Sequence, residues 1–204
     1  MTVVGIDVGG ERKGFHAVAL RDSCFVGITQ FAGPDPLVKW CLHHDTAIVA
    51  VDAPCKWSQT GASRRAERDL SIDGQIIQCF KTPTRERALD HKKGFYGWVF
   101  NGEQLYQHLA IHYSLFHGTH RDGAAFFETF PHAVVCALAG KVVTAKAKAT
   151  VRRATLRARG YDVTRLVNID FVDAALCAVT AKAFLKGGWK SFGDEQEGFI
   201  VVPS

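Results

Sequence analysis

Val3-Val4-Gly5-Ile6-Asp7-Val8-Gly9-Gly10 opens the chain with an apolar run that carries one carboxylate near its centre. The β-branched residues favour a strand, and Gly9-Gly10 supplies the turn that ends it. A carboxylate held among such residues loses its hydration, an unfavourable situation unless something pairs with it. Turn or cap chemistry does not account for an acid in mid-strand, so Asp7 points to a bound cation.

Working outward, Gly14–Leu20 and Cys24–Phe31 read as two further strands, joined by connections short enough to make antiparallel neighbours. After Gly33-Pro34-Asp35-Pro36 a helix-like stretch runs to His44. Ala47–Val51 is a short continuous apolar run ending in Asp52, which reads as a buried strand reached by a parallel crossover. From Ala53 to about Gly102 the pattern is irregular, with Pro54, Pro83 and the basic clusters Arg64, Arg65, Arg68 and Lys81, Arg85, Arg87, as expected of an insertion over one end of the sheet. Asn101–His117 then reads as a helix and Ala124–Phe130 as a strand ended by Pro131. A basic helix follows over Ala145–Arg159, stopped by Gly160. The last long helix is capped by Asp170 and ends near Leu185, and a short strand covers Phe199–Val202. The whole of residues 1–204 is expected to form one α/β domain: a mixed sheet, three antiparallel strands then parallel ones, flanked by helices.

The acids recur at telling places. Asp52 repeats the situation of Asp7 at the C-terminal end of its strand, where Ala53-Pro54 leaves it at the sheet rim. Asp170 and Asp173, three residues apart at the start of a helix, project from nearly one face. Either alone is explained by capping or by the helix dipole. Together with Asp7 and Asp52 they form a pattern that suits divalent metal.

Composition bounds the rest. Apolar residues make up 47% and charged residues 22%, ordinary for a globular protein. No apolar run approaches the roughly 20 residues that span a bilayer, and a secretory signal pattern is absent, so a cytoplasmic location without a membrane partner is expected. The six cysteines are scattered without a CxxC pair and read as free thiols. The net charge of +5 is concentrated in Lys141, Lys146, Lys148, Arg152, Arg153, Arg157, Arg159 and Arg165, a block that invites a polyanion or lies on a solvated helix face. The aromatics Phe95, Tyr96, Trp98 and Phe100 offer stacking surfaces or ordinary packing. His108 and His112 share a helix face with His117 and His120 beyond, but without HExxH they make a weak zinc candidate. No Walker A, GxGxxG or GxSxG signature is present.

In its order of strands, helix and acids the chain resembles the ribonuclease-H-like superfamily. Asp170-Phe171-Val172-Asp173-Ala174-Ala175-Leu176 resembles the final-helix motif of the Holliday-junction resolvase branch, with Asp52 where that branch has Glu. A closer resemblance is to domain of unknown function 429, a family described as predicted nucleases. It rests on Gly5-Ile6-Asp7, Val51-Asp52-Ala53-Pro54 with Arg64-Arg65, and Phe80-Lys81-Thr82-Pro83-Thr84-Arg85. It continues through Glu128-Thr129-Phe130-Pro131, Lys146-Ala147-Lys148 with Arg152-Arg153, and Asp173-Ala174. The resemblance implies a metal-dependent nuclease acting on DNA or RNA; a homodimer is compatible with the sequence, which does not fix the oligomeric state. Asp7, Asp52 and Asp173, with Asp170, would hold two Mg²⁺ or Mn²⁺ ions, and Glu128 would be a fifth acid. Arg64, Arg65, Lys146, Lys148, Arg152 and Arg153 would bind substrate. Two alternatives stand beside it. One is a nucleotide binder of the actin-like ATPase or sugar-kinase type, suggested by Asp7-Val8-Gly9-Gly10 but lacking a second such turn. The other is a nucleic-acid-binding module without catalysis.

Overall fold

The computed structural model describes residues 1–91, 94–119 and 123–204. Strands β1 (Thr2–Val8), β2 (Phe15–Arg21) and β3 (Cys24–Phe31) form an antiparallel meander, and α1 (Pro34–His43) carries the chain over to β4 (Thr46–Asp52), parallel to β1. The irregular stretch that follows contains α2 (Arg65–Asp69), the two-residue strands β5 (Ser71–Ile72) and β6 (Gln75–Ile76), and α3 (Arg85–Leu89). Then come α4 (Gly97–Leu109), β7 (Ser114–Leu115), β8 (Ala125–Glu128), α5 (Pro131–Ala139), α6 (Lys148–Ala158), α7 (Ile169–Leu185), β9 (Trp189–Asp194) and β10 (Gly198–Pro203). The main sheet runs β3-β2-β1-β4-β8-β10-β9, with β7 beside β8. β4, β8 and β10 continue parallel to β1, while β9 returns antiparallel to β10. Three antiparallel strands leading into parallel ones, with helices on both faces, make this a ribonuclease-H-like α/β fold.

Several local expectations change. The helix expected over Asn101–His117 starts earlier, at Gly97, and stops at Leu109, because the chain must turn to let Ser114 and Leu115 pair with β8. Pro131 ends a strand but also starts α5, where its fixed φ and missing N–H cost nothing at the first helical turn. The basic helix begins at Lys148 rather than Ala145. Asp170 is not the cap of α7: Asn168 is, its side-chain oxygen accepting the Phe171 N–H at 2.9 Å. Phe199–Val202 lies within β10, the second strand of a hairpin whose first strand is β9.

Strand parity decides what faces what. Val4, Ile6 and Val8 of β1 join Val49 and Val51 of β4 and Leu37, Val38 and Cys41 of α1 in one core layer. Val3, Val18, Leu20, Ile48 and Ala50 point the other way, against Ala174, Cys177 and Ala178 of α7. By the period of two, Gly5, Asp7, His16 and Asp52 belong to this second face. Gly5 has a specific reason to be glycine: a Cβ there would fall 2.0 Å from the Ala174 carbonyl oxygen and 2.1 Å from the Ala178 nitrogen. Backbone atoms of a packed helix cannot step aside singly. Gly5→Ala is therefore expected to lower stability by about 2–3 kcal/mol, measured by urea denaturation, because α7 must lift from the sheet.

Candidate metal centre

The parallel register of β1 and β4 sets Asp7 directly beside Asp52. The first turns of α7 cross the C-terminal ends of these strands, and Asp173, 5% exposed, comes down onto the pair. One carboxylate oxygen from each of Asp7, Asp52 and Asp173 lies within 4.8 Å of the others. Asp7 also belongs to a second group, with His16 and Asp170, meeting the same limit. Asp170 and Asp173 thus straddle Asp7, as their three-residue spacing on a helix allows.

The charges are incompletely balanced. Burial, reinforced by the charges of Asp173 and Asp170, pushes the Asp7 carboxyl from 3.8 up to about 8. Burial also raises Asp52 well above the carboxylate range, with Asp7 and Asp173 adding to the effect. Asp173 is raised by burial too, against the pull of the Arg152 guanidinium. Among the described residues, two cations make ion pairs with the cluster. Arg152 makes an ion pair with Asp173, and Lys13 Nζ donates to both Asp170 oxygens at 3.0 and 2.9 Å. The Arg152 contact runs through Nη1, and Asp173 Oδ1 and Arg152 Nε have no hydrogen-bond partner among the described residues. Four carboxylates against these two cations leave an excess of two negative charges when all are ionised. The all-carboxylate group of Asp7, Asp52 and Asp173 fits a hard divalent cation.

Glu128 is placed elsewhere. It pairs in register with Val51, not Asp52, and so faces the opposite side of the sheet. There it accepts from both Arg64 terminal nitrogens at 2.8 and 2.6 Å and from the Cys55 N–H at 2.8 Å. Arg64, 1% exposed, also donates through Nε to Glu67 at 2.7 Å, and Glu67 in turn receives the Thr82 N–H and hydroxyl. This network walls a cavity of about 60 Å³ that reaches Asp52 and is also lined by Phe80, Trp98 and Phe130.

The basic residues divide by exposure. Lys146, Lys148 and Arg65 are exposed, Arg65 pairing with Asp69 at 3.1 Å. Arg153 is half-buried and reaches the Asn168 carbonyl at 3.4 Å, whereas Arg152 is 8% exposed and turned inward to Asp173. Phe95 and Tyr96 gather with Phe80 and His91 at centroid distances between 5.0 and 6.4 Å, and Phe95 is 58% exposed. Among the described residues, neither His108 nor His112 joins a group of three metal-binding side chains. His120 lies outside the described residues.

The residue that sequence reasoning passed over is His16. The antiparallel register puts it opposite Asp7. The signal was present: a short turn fixes the β1–β2 pairing, and the alternation of Phe15, Ala17 and Ala19 leaves His16 on the acidic face.

A search of curated proteins found no match. Among solved structures, Thermus thermophilus RuvC aligns with 16% identity and a TM-score of 0.44, covering 92% of this chain and 97% of that one. The strand order and pairing, rather than this distant likeness, carry the fold assignment. The family model described as "Protein of unknown function (DUF429)" matches residues 5–198, nearly the whole chain, and the protein belongs to that family.

Proposed function

We propose that the protein is a divalent-metal-dependent phosphodiesterase acting on nucleic acid. The observation that carries this reading is the meeting of Asp7, Asp52 and Asp173 on one sheet face with more negative charge than Lys13 and Arg152 balance. Asp7, shared between both groups, would be the common ligand of two Mg²⁺ or Mn²⁺ ions, with Asp52 and Asp173 completing one set and Asp170 the other. Such ions, when bound, supply Lewis-acid stabilisation of phosphoryl oxygens and a water that is nucleophilic near neutral pH. The side chains fix the ligand oxygens on two strands and a helix, which keeps them oriented without reorganisation. Lys13, with its ammonium at the exposed rim of Asp170, is placed to meet a substrate phosphate. Exposed Lys146 and Lys148, with Arg153 and Arg65, would hold the backbone and contribute salt-dependent affinity without sequence choice.

The test is cleavage of labelled single-stranded, duplex and branched DNA and RNA with Mg²⁺ or Mn²⁺, followed by binding of the same oligonucleotides over a salt series. Hydrolysis of at least one substrate, abolished by chelator, is expected. Lys146→Ala with Lys148→Ala should flatten the slope of log affinity against log salt by about one unit per lost phosphate contact. Binding without cleavage under any metal would favour the second reading, a non-catalytic nucleic-acid module. That reading draws on Arg152, whose guanidinium already neutralises Asp173 as a bound ion would.

A further inference from the structure

We infer that His16 is a direct nitrogen ligand of a cation held with Asp7 and Asp170, so that this half of the centre takes a first-row transition ion such as Mn²⁺ in preference to Mg²⁺. The inference deepens the metal-centre reading above and rests on it.

His16 sits on β2 opposite Asp7 and is 2% exposed. One of its ring nitrogens lies within 4.8 Å of carboxylate oxygens of both Asp7 and Asp170. Its Nε2 stands 4.0 Å from Asp170 Oδ2, too far for a hydrogen bond, and its Nδ1 has no hydrogen-bond partner among the described residues. Neither ring nitrogen makes a hydrogen bond among the described residues, and a buried imidazole in that state calls for an explanation, which an ion on Nε2 supplies for that nitrogen. Packing alone does not supply it: the ring meets Phe171 edge-on at 4.8 Å, a contact a phenyl group would make without the polar cost.

A shared ion accounts for the spacing. Ligand atoms about 2 to 2.2 Å from one ion stand roughly 3 to 4 Å from each other, the separation seen between Nε2 and Oδ2. The donor set then decides which ion. Asp7, Asp52 and Asp173 offer oxygen alone and suit Mg²⁺, whereas imidazole adds affinity for transition ions that Mg²⁺ does not share. Lys13 is a competing cation on Asp170, and its side chain, 60% exposed on a flexible stem, can swing clear.

The experiment is pulsed electron paramagnetic resonance on the full chain loaded with Mn²⁺, which detects ¹⁴N nuclei bound to the ion independently of any activity. Wild-type protein is expected to show nitrogen modulation that changes to the ¹⁵N pattern when histidine is ¹⁵N-labelled. The modulation should vanish in His16→Leu, and calorimetry of that variant should show Mn²⁺ affinity falling about tenfold or more while Mg²⁺ affinity changes little. Lys13→Met should raise Mn²⁺ affinity. Bound Mn²⁺ without nitrogen modulation in the wild type, a measurement that needs no variant to fold, overturns the assignment and leaves the oxygen-ligand reading standing. Modulation that persists in folded His16→Leu also overturns it. Failure of any Mn²⁺ to bind overturns this inference together with the metal centre.

Discussion

Asp7→Asn is expected to abolish hydrolysis while making the metal-free protein more stable. Asp7 lies in both groups that could hold a metal ion, so on the proposed function its loss would remove a ligand from each, and a fall of at least about a thousandfold in rate corresponds to some 4 kcal/mol of transition-state stabilisation. The gain in stability follows from proton linkage. Folded Asp7 holds its proton up to about pH 8, whereas an unfolded aspartate releases it near 3.8. Between these values the native state binds the extra proton, so the contribution is fully present below pH 4 and is lost as pH rises towards 8. Each unit of pKa difference is worth about 1.4 kcal/mol, and Asp7→Asn at pH 8 in chelator is expected to regain about 2–4 kcal/mol. Thermal melts in chelator at pH 5 and pH 8 read this directly: the wild type should lose stability at the higher pH, and the variant should lose less. Millimolar Mg²⁺ or Mn²⁺ should raise the wild-type midpoint at pH 8 and leave the variant nearly unmoved. Equal pH dependence in both proteins would place the unfavourable charge elsewhere.

Glu128→Ala is expected to damage the fold rather than the metal centre. Removing this carboxylate leaves Nη2 of the Arg64 guanidinium, 1% exposed, without its acceptor and Nη1 with only the Glu197 carbonyl at 3.3 Å, and leaves the Cys55 N–H unpaired. Breaking one partner of a buried ion pair costs about 3–5 kcal/mol, since the other charge stays behind without compensation. Glu67 still holds Arg64 Nε, which keeps the loss near the lower end of that range. Denaturant titration measures the loss. In Glu128→Gln, which keeps the shape, the rise in midpoint produced by metal should survive. Loss of that rise in well-folded Glu128→Gln would instead draw Glu128 into the metal centre.

The contrast between Asp52 and Glu128 marks how far reading the chain alone could go. Both end buried strands, both precede a proline by two or three residues, and both look equally suited to a sheet-rim site. Neighbouring strands pair Asp52 with Asp7 but Glu128 with Val51, and a one-residue difference in register reverses the face of the sheet. Register between β4 and β8 depends on how more than seventy intervening residues pack, and no local pattern encodes it. Arg64 and Arg152 illustrate the same limit for charge: as sequence they are members of basic clusters, and burial makes them ion-pair partners of Glu128 and Asp173.

The chain by itself determined the strand–strand–strand–helix–strand opening, the helix that closes the domain and the acids on Asp7, Asp52, Asp170 and Asp173, because hydrophobic period and turn residues act over a few neighbours. Only the tertiary structure decided that Glu128 turns away to Arg64, that Asn168 rather than Asp170 caps α7, and that Arg152 turns inward to Asp173. Those outcomes depend on which face each strand presents and on which side chain reaches a free N–H first. Such choices are settled when distant segments pack together and each buried polar group must find its partner.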